Sequence, residues 1–506
     1  MKILNKTTIA CIAMLTLACQ NDDDTTVQNE IINTEVNFQY KTTINVGGEA
    51  SAEISAYDAL TKKLFVTNSE SNEISVYNIS DLDSPLQETS ISLNAFGAPN
   101  SVAVSNGKLA IAVQADVKQN PGKILVYNTI DASLINQYTV GALPDMVTFT
   151  NNGNIIISAN EGEPNDDYTI DPLGTVSIID LNDDSIATLD FTSFNSQEAA
   201  LETQGFRVFG PSADLATDVE PEYIAVSDDS KTAWVSLQEN NGIAKVNLVT
   251  KTIEAIYPLG YKDHNLSQNS LDASNKDFET VLKNWPIKGM YQPDAITYVN
   301  IGGMEYVISA NEGDARDYDG FSEEVRVKDL TLDETIFPAS FDYINDANLG
   351  RLKTTTAFGD TDNDGNFDEI YSYGARSFSI WSANGIQVYD SGNSIATQTL
   401  ALTPEKFNDE DKRSDDKGAE PESVDVLNIG NQRYVLFIGL ERTDQVMVYD
   451  ITNPTAPTFL TILSHSGDEA PEGLLVVPAL DSPNGKDLLI VSNEDSGTVS
   501  FYENQQ

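Results

Sequence analysis

The sequence predicts an all-β fold, a ring of short antiparallel sheets, on three observations. One unit recurs along the chain: a proline and often an acid, alternating apolar residues, a turn, a second β-rich run, a polar loop, and a third run ending near Tyr-Asn or Asp. The runs are short, of period two and separated by turn residues, whereas helical periodicity is scarce. An additional strand-like run, "FQYKTTINV" at 38–46, precedes the first unit and has no unit of its own. Units of three or four strands repeated at this length read as the blades of a single β-propeller.

In chain order, a weak first unit covers 52–78 and a clear second covers 98–128. Further units follow at 143–181, 220–248 and 292–313, then a divergent one at 362–390, and two more at 420–450 and 470–503. The count is eight, or seven if the divergent or the first unit is not a full blade. Runs such as "SLINQYTV" (133–140) supply outer strands. The 38–46 run is expected to complete the last blade from outside and close the ring, which removes open sheet edges. The propeller domain is placed at 35–506, with loop insertions near 163–173, 260–290 and 314–350. Short helices are expected within 268–284 and 404–412.

Charge narrows the function. The 506 residues include 78 Asp and Glu against 29 Lys and Arg, a net charge of −49. Nucleic acid and anionic membrane surfaces need cationic patches, so neither is an expected partner. Divalent cations suit such a chain better. A hydrophobic content of 40% argues against global disorder.

At the N-terminus, Lys2 and Lys6 precede an apolar run from Ile9 to Ala18 that is too short to span a bilayer. "LTLAC" resembles a bacterial lipobox. The resemblance implies a signal peptide at 1–18, cleavage before Cys19 and acylation of that cysteine; an ordinary signal peptide is the alternative. "QNDDDTT" behind Cys19 is similar to the export signal of surface lipoproteins, and 19–34 reads as an acidic, flexible tether. The expected location is the bacterial outer membrane, lipid-anchored and facing the cell surface. The other cysteine, Cys11, lies in the segment to be removed, so the mature chain has no disulfide.

The hexapeptide "ISANEG" occurs at 157–162 and again at 308–313. A blade's chain begins strand one and leaves strand two at the same face. Acids at strand-one starts (Asp145, Glu220, Glu222, Asp294, Glu420, Glu422, Glu472) should therefore surround one channel mouth together with acids at strand-two ends (Glu70, Glu161, Glu239, Glu312, Glu441, Glu494). Two readings stay open. Glu161, Glu239, Glu312, Glu441 and Glu494 form a metal or ligand ring, or each glutamate caps backbone of the neighbouring blade. Arg316, Arg376 and Arg442 share these loops and form a possible anion clamp.

A sharper signal is "GDTDNDGNFDEIY" at 359–371. Ca²⁺ takes six to eight oxygens, and aspartates at alternate positions fold around one ion where a glycine, here Gly365, allows the tight turn. Position twelve is Tyr371 rather than Glu, which excludes an EF-hand. The loop resembles those of integrin-type propellers. That resemblance implies side-chain ligands from Asp360, Asp362, Asp364 and Asp368 and a carbonyl from Asn366. Placed ahead of a strand two, this loop is expected on the face opposite the glutamates, holding a structural Ca²⁺.

Taken together, "LPDMVTF", "QPDAITY", the two "ISANEG" copies, "YGARSFSIW", "EPESVDV" and "PEGLLVVPALDSPNGKDLLIVSNEDSGTVS" resemble the choice-of-anchor I family over about 40–503. The resemblance implies a secreted or surface-anchored β-propeller and supplies no catalytic residues. Two functions are carried forward. One is a ligand-binding or scaffold module, acting as a monomer on an unidentified small-molecule, glycan or protein ligand. The other is a calcium-dependent phosphohydrolase, with metal on the mouth glutamates and phosphate on the three arginines. It lacks a distinct nucleophile or general base, since His264 and His465 both read as loop residues. Haem and serine-hydrolase chemistry are unsupported, with no CxxCH and no G-x-S-x-G.

Overall fold

A computed structural model describes residues 35–505. The expected signal peptide at 1–18, Cys19 and the expected tether at 19–34 lie outside the described residues. Among these there are seven four-stranded antiparallel sheets. Blade 1 runs from Ser55 to Ser92, blade 2 from Pro99 to Ala142, blade 3 from Pro144 to Leu189 and blade 4 from Pro221 to Pro258. Blade 5 runs from Ile296 to Asp390, blade 6 from Pro421 to Leu463, and blade 7 joins Pro471–Asn504 to Phe38–Asn45. The innermost strands pack in chain order, and that of blade 7 returns to blade 1.

Seven core clusters hold this ring, one at each blade-to-blade interface. Leu125 and Ile111 of blade 2 meet Val76 and Phe65 of blade 1, for example, and Phe501 and Ile490 of blade 7 meet Leu64 and Val66 of blade 1. Because every sheet is covered on both faces, its middle strands are apolar without alternation. Lys63–Asn68 and Tyr434–Leu440 are buried after their first residue. Outer strands carry the polar positions, as in Leu86–Ser92, where only Ile91 is buried.

The ring closes as the extra run suggested. Phe38–Asn45 pairs antiparallel with Thr498–Asn504, from Phe38 opposite Asn504 to Asn45 opposite Thr498. Its buried side chains, Phe38 and Ile44, enter the interfaces with blades 6 and 1.

The eighth unit is corrected. Residues 377–390 are not a blade but the third and fourth strands of blade 5, whose first two strands are Ile296–Ile301 and Met304–Asn311. An insertion at 312–376 separates the halves. It packs with residues 259–291 into a second small core of Leu271, Trp285, Ile287, Val327, Phe337, Leu352 and Ile370. The helices expected at 268–284 and 404–412 do not form. One 3-10 turn occurs in each, Ser267–Asn269 and Pro404–Lys406, while a nine-residue helix forms at Ser394–Leu402. No helix among the described residues is long and apolar enough to cross a membrane.

Candidate functional site

The repeated hexapeptide first does structural work. In blade 5 the buried Asn311 side chain donates to Ser377 Oγ at 3.1 Å and Ser379 Oγ at 2.9 Å, and accepts from Ser309 Oγ at 2.7 Å. In blade 3 Asn160 donates to Thr175 Oγ1 at 3.2 Å and Ser177 Oγ at 3.0 Å, and accepts from Ser158 Oγ at 3.0 Å. Serine and asparagine two apart share one strand face and tie strand two to strand three. The closing glycine permits a close crossing of chains. A Cβ at Gly162 would lie 2.8 Å from the Leu173 backbone, and one at Gly313 would clash with the Gly374 nitrogen.

The glutamate peptide N–H, rather than its carboxylate, makes the repeated backbone cap. Glu161 N donates to Leu143 O at 2.9 Å, Glu441 N to Glu420 O at 2.9 Å, and Glu494 N to Ala470 O at 2.8 Å. In blade 5 Gly313 N donates to Gln292 O at 3.2 Å. Leu143, Gln292, Glu420 and Ala470 each precede a proline, and each is left-handed, with φ of 48°, 43°, 52° and 56°. That conformation costs an L-residue about 1–2 kcal/mol. Here it turns the carbonyl toward the returning loop and sets the residue after the proline into the channel.

That position recurs around the ring. Asp145, Glu222, Asp294, Glu422 and Glu472 follow prolines 144, 221, 293, 421 and 471. With Glu53, Asn100 and Glu494 they line a cavity of about 360 Å³ whose wall holds no basic side chain. Burial raises every one of these carboxyls and neighbouring acids add to it. Glu53 and Asp145 are each pushed up to about 7, Asp294 to about 6, and Glu222, Glu422 and Glu472 go well above the ordinary range. Sequence reasoning had not counted Glu53 and Asn100. Their signal was positional, since both stand where the other units carry the acid.

The five exit glutamates do not gather at one point. Only Glu494 lines the central cavity. Glu312 is buried, accepts from Gln238 Nε2 at 2.9 Å and pairs with Lys417. Glu441 pairs with Arg442 at 2.7 Å. Burial raises Glu161, with Asp145 adding to it, and pushes Glu239 up to about 7. Exit and strand-start acids do meet twice: Asp294, Glu312 and Glu422 each offer an oxygen within 4.8 Å of the others, and so do Glu312, Glu420 and Glu441. Lys417 stands beside both groups, 3.7 Å from Glu420 and from Asp314. Burial alone would lower its pKa, but Glu312, Asp314 and Glu420 hold it raised. No sequence signal marked Lys417, because it reaches Glu312 across blades.

The anion clamp is not assembled. Arg316 is buried against Asp218 at 2.5 Å and Glu220 at 3.2 Å. Arg376 donates to the carbonyls of Asp272, Ser414 and Asp416 at 2.7, 3.0 and 2.6 Å. Arg442, half-exposed, pairs with Glu441 and lies 3.3 Å from Glu420. His264 is buried rather than in an open loop, with Nδ1 2.6 Å from Asn269 O, and burial pushes it down to about 3.

The aspartate loop lies on the mouth side, not opposite it. It belongs to the 312–376 insertion, which leaves and rejoins blade 5 at Asn311 and Ser377, paired neighbours at one sheet end. Asp360, Asp362 and Asp368 each bring a carboxylate oxygen within 4.8 Å of the others. Asp364 instead accepts from Asn366 N at 2.8 Å, and Gly365, at φ 93°, makes the turn.

The choice-of-anchor I domain matches residues 53–454. The chain belongs to the choice-of-anchor I family. Membership and fold together make it a surface β-propeller module of a secreted or surface-anchored kind. Gigasin-3a of Magallana gigas is 33% identical over 187 residues, covering 31% of this chain and 65% of that protein. Among solved structures, Kuenenia stuttgartiensis hydrazine synthase aligns at a TM-score of 0.48 and 10% identity, covering 90% of this chain and 96% of that one. The β-propeller domain of Myceliophteria thermophila Cps50 (Swd1) aligns at 0.46 and 7%, covering 92% and 99%.

Proposed function

We propose that this choice-of-anchor I protein is a calcium-binding lipoprotein, tethered through acylated Cys19 to the bacterial outer membrane, that presents its propeller mouth as a ligand-binding or scaffold surface. The observation that carries the binding reading is the state of the mouth cations. Arg316 is buried on carboxylates, and the partly buried Arg376 is held by three carbonyls, so neither is available to hold a phosphate. What faces the channel is acidic, and the insertions around it pack into their own core. Asp360, Asp362 and Asp368 would hold Ca²⁺ in the insertion loop, with oxygen ligands that suit a hard cation.

Two measurements test this reading. Assayed on p-nitrophenyl phosphate, a phosphodiester and phytate with Ca²⁺ or EDTA, the mature protein is expected to turn over none of them; Ca²⁺-dependent hydrolysis lost in Glu312→Gln would replace the binding reading with the phosphohydrolase. Labelling with a palmitate analogue should mark the wild-type chain and not Cys19→Ala; label retained by the variant would remove the lipid anchor.

A further inference from the structure

We infer that His465 is a pH-dependent clasp on the strand that closes the ring, gripping it when the imidazole is charged and loosening when it is neutral. His465 lies just after the outer strand of blade 6, Thr458–Leu463, and meets the closing strand Phe38–Asn45. Its ring lies flat on that of Tyr40, with centroids 3.8 Å apart and planes 3° from parallel. Its Nδ1 is 3.7 Å from Asp468 Oδ1. Asp468 is buried and accepts from Thr498 Oγ1 at 3.2 Å and Ser500 Oγ at 2.6 Å, both on the strand that pairs with the closing strand. The hydroxyls of Thr43 and Ser500, 2.8 Å apart, join those two strands directly. One histidine therefore touches the closing strand and, through one carboxylate, the strand it closes against.

The charge state decides how well these contacts fit. His465 Nδ1 is shut off from solvent and has no hydrogen-bond partner. A neutral imidazole with its hydrogen on Nε2 turns a bare lone pair toward a carboxylate. Protonation gives Nδ1 a hydrogen and a positive charge facing Asp468. The same charge then lies over the face of Tyr40, where the ring attracts a cation. A neutral imidazole with its hydrogen on Nδ1 satisfies the nitrogen but brings no charge to either contact. The neighbouring groups leave this pairing alone. Tyr502 packs edge-on against Tyr40 at 6.2 Å, and burial raises its hydroxyl, so it stays uncharged. Lys41, beside Tyr40, pairs with Asp83, and Thr458–Leu463 carries no charged side chain. Histidine is the side chain that changes charge between about pH 5 and 8, so the clasp closes at the acid end of that window and opens at the other.

The test needs a local readout, because the buried channel acids also make the whole fold less stable as pH rises. Hydrogen exchange of peptides covering 36–46 is compared with that of Lys108–Val113 in blade 2, at about pH 5.5 and about pH 8, with each rate divided by its intrinsic value at that pH. The closing strand should lose about two- to fivefold of its protection at the higher pH, beyond any change in blade 2, which is the scale of one cation–π contact. His465→Phe keeps a stacked ring that cannot be charged, and in it this excess should vanish. Tyr40→Leu leaves His465 beside Asp468 and should reduce the excess. A wild-type chain without the excess would overturn the clasp, and so would an excess of the same size in His465→Phe. Should His465→Phe fail to fold, Tyr40→Leu decides: an undiminished excess overturns the proposal.

Discussion

At the scale of single residues, the asparagine of "ISANEG" is worth more to the fold than its glutamate. Asn311 is fully buried, and its amide joins Ser309 on its own strand to Ser377 and Ser379 on the next. Both of those serines also donate to Asp390, at 2.7 and 2.9 Å. In Asn311→Ala the serine pair keeps Asp390, but the buried Ser309 Oγ loses the acceptor for its hydrogen. The expected loss is about 1–3 kcal/mol, the range for a buried polar group left unpaired. Urea unfolding monitored by tryptophan fluorescence should show it as a lower midpoint at constant slope, and an unchanged midpoint would mean that water replaces the amide. The identity of the repeated residues was legible in the sequence, and so were the acids behind prolines 144, 221, 293, 421 and 471 that line the cavity. Which residue of the six does which task was not, because Ser-x-Asn reads as an ordinary strand end until the facing strand and its Ser-x-Ser or Thr-x-Ser pattern lie beside it.

At the scale of elements, closure by the N-terminal strand was readable because 38–46 alternates like a strand and has no unit ahead of it. Its contribution can be measured. Phe38 packs edge-on against Phe437 at 5.0 Å, and Ile44 is buried in the interface with blade 1. Full burial of such side chains stabilises by about 1.5–3 kcal/mol each, so deleting residues 35–46 should cost about 3–6 kcal/mol. It also exposes the backbone edge of Thr498–Asn504, a template for pairing between chains. The deletion is expected to lower the urea midpoint and shift the protein to high-mass species on size exclusion. A truncated chain that stays monomeric at the wild-type midpoint would contradict the closure role. Blade 5 shows where reading by repeats stops. Its strand pairs are parted by residues 312–376, so each half resembles a unit, and the count reached eight. The same error put the aspartate loop ahead of a strand two and on the wrong face. Only the pairing of Met304–Asn311 with the later half resolves it: Asn311 lies opposite Ser377 and Tyr306 opposite Ser382.

At the scale of the whole molecule, the acids that the ring gathers make stability depend on pH in a direction opposite to that of ordinary salt-bridged carboxylates. Glu53, Asp145 and Glu239 are each pushed up to about 7 in the folded protein, chiefly by burial, from 4.5, 3.8 and 4.5. Between those limits the folded chain holds more protons than the unfolded chain, so stability falls as pH rises. The loss begins above about pH 4, where the unfolded carboxyls ionise, and is complete once the folded ones have ionised, above about pH 7. The melting temperature in EDTA should therefore be higher at about pH 5.5 than at about pH 8. General repulsion within a chain of net charge −49 has the same sign. Salt separates the two, because at about 1 M the screening length is about 3 Å and exposed charges no longer interact at range, while groups inside the channel are little affected. If the pH dependence of the melting temperature vanishes in high salt, surface charge rather than the channel is its source. If it persists in salt and shrinks when Ca²⁺ replaces EDTA, the channel carboxylates are exchanging protons for a cation, and the left-handed residues before Pro144, Pro293, Pro421 and Pro471 help to place Asp145, Asp294, Glu422 and Glu472 among them.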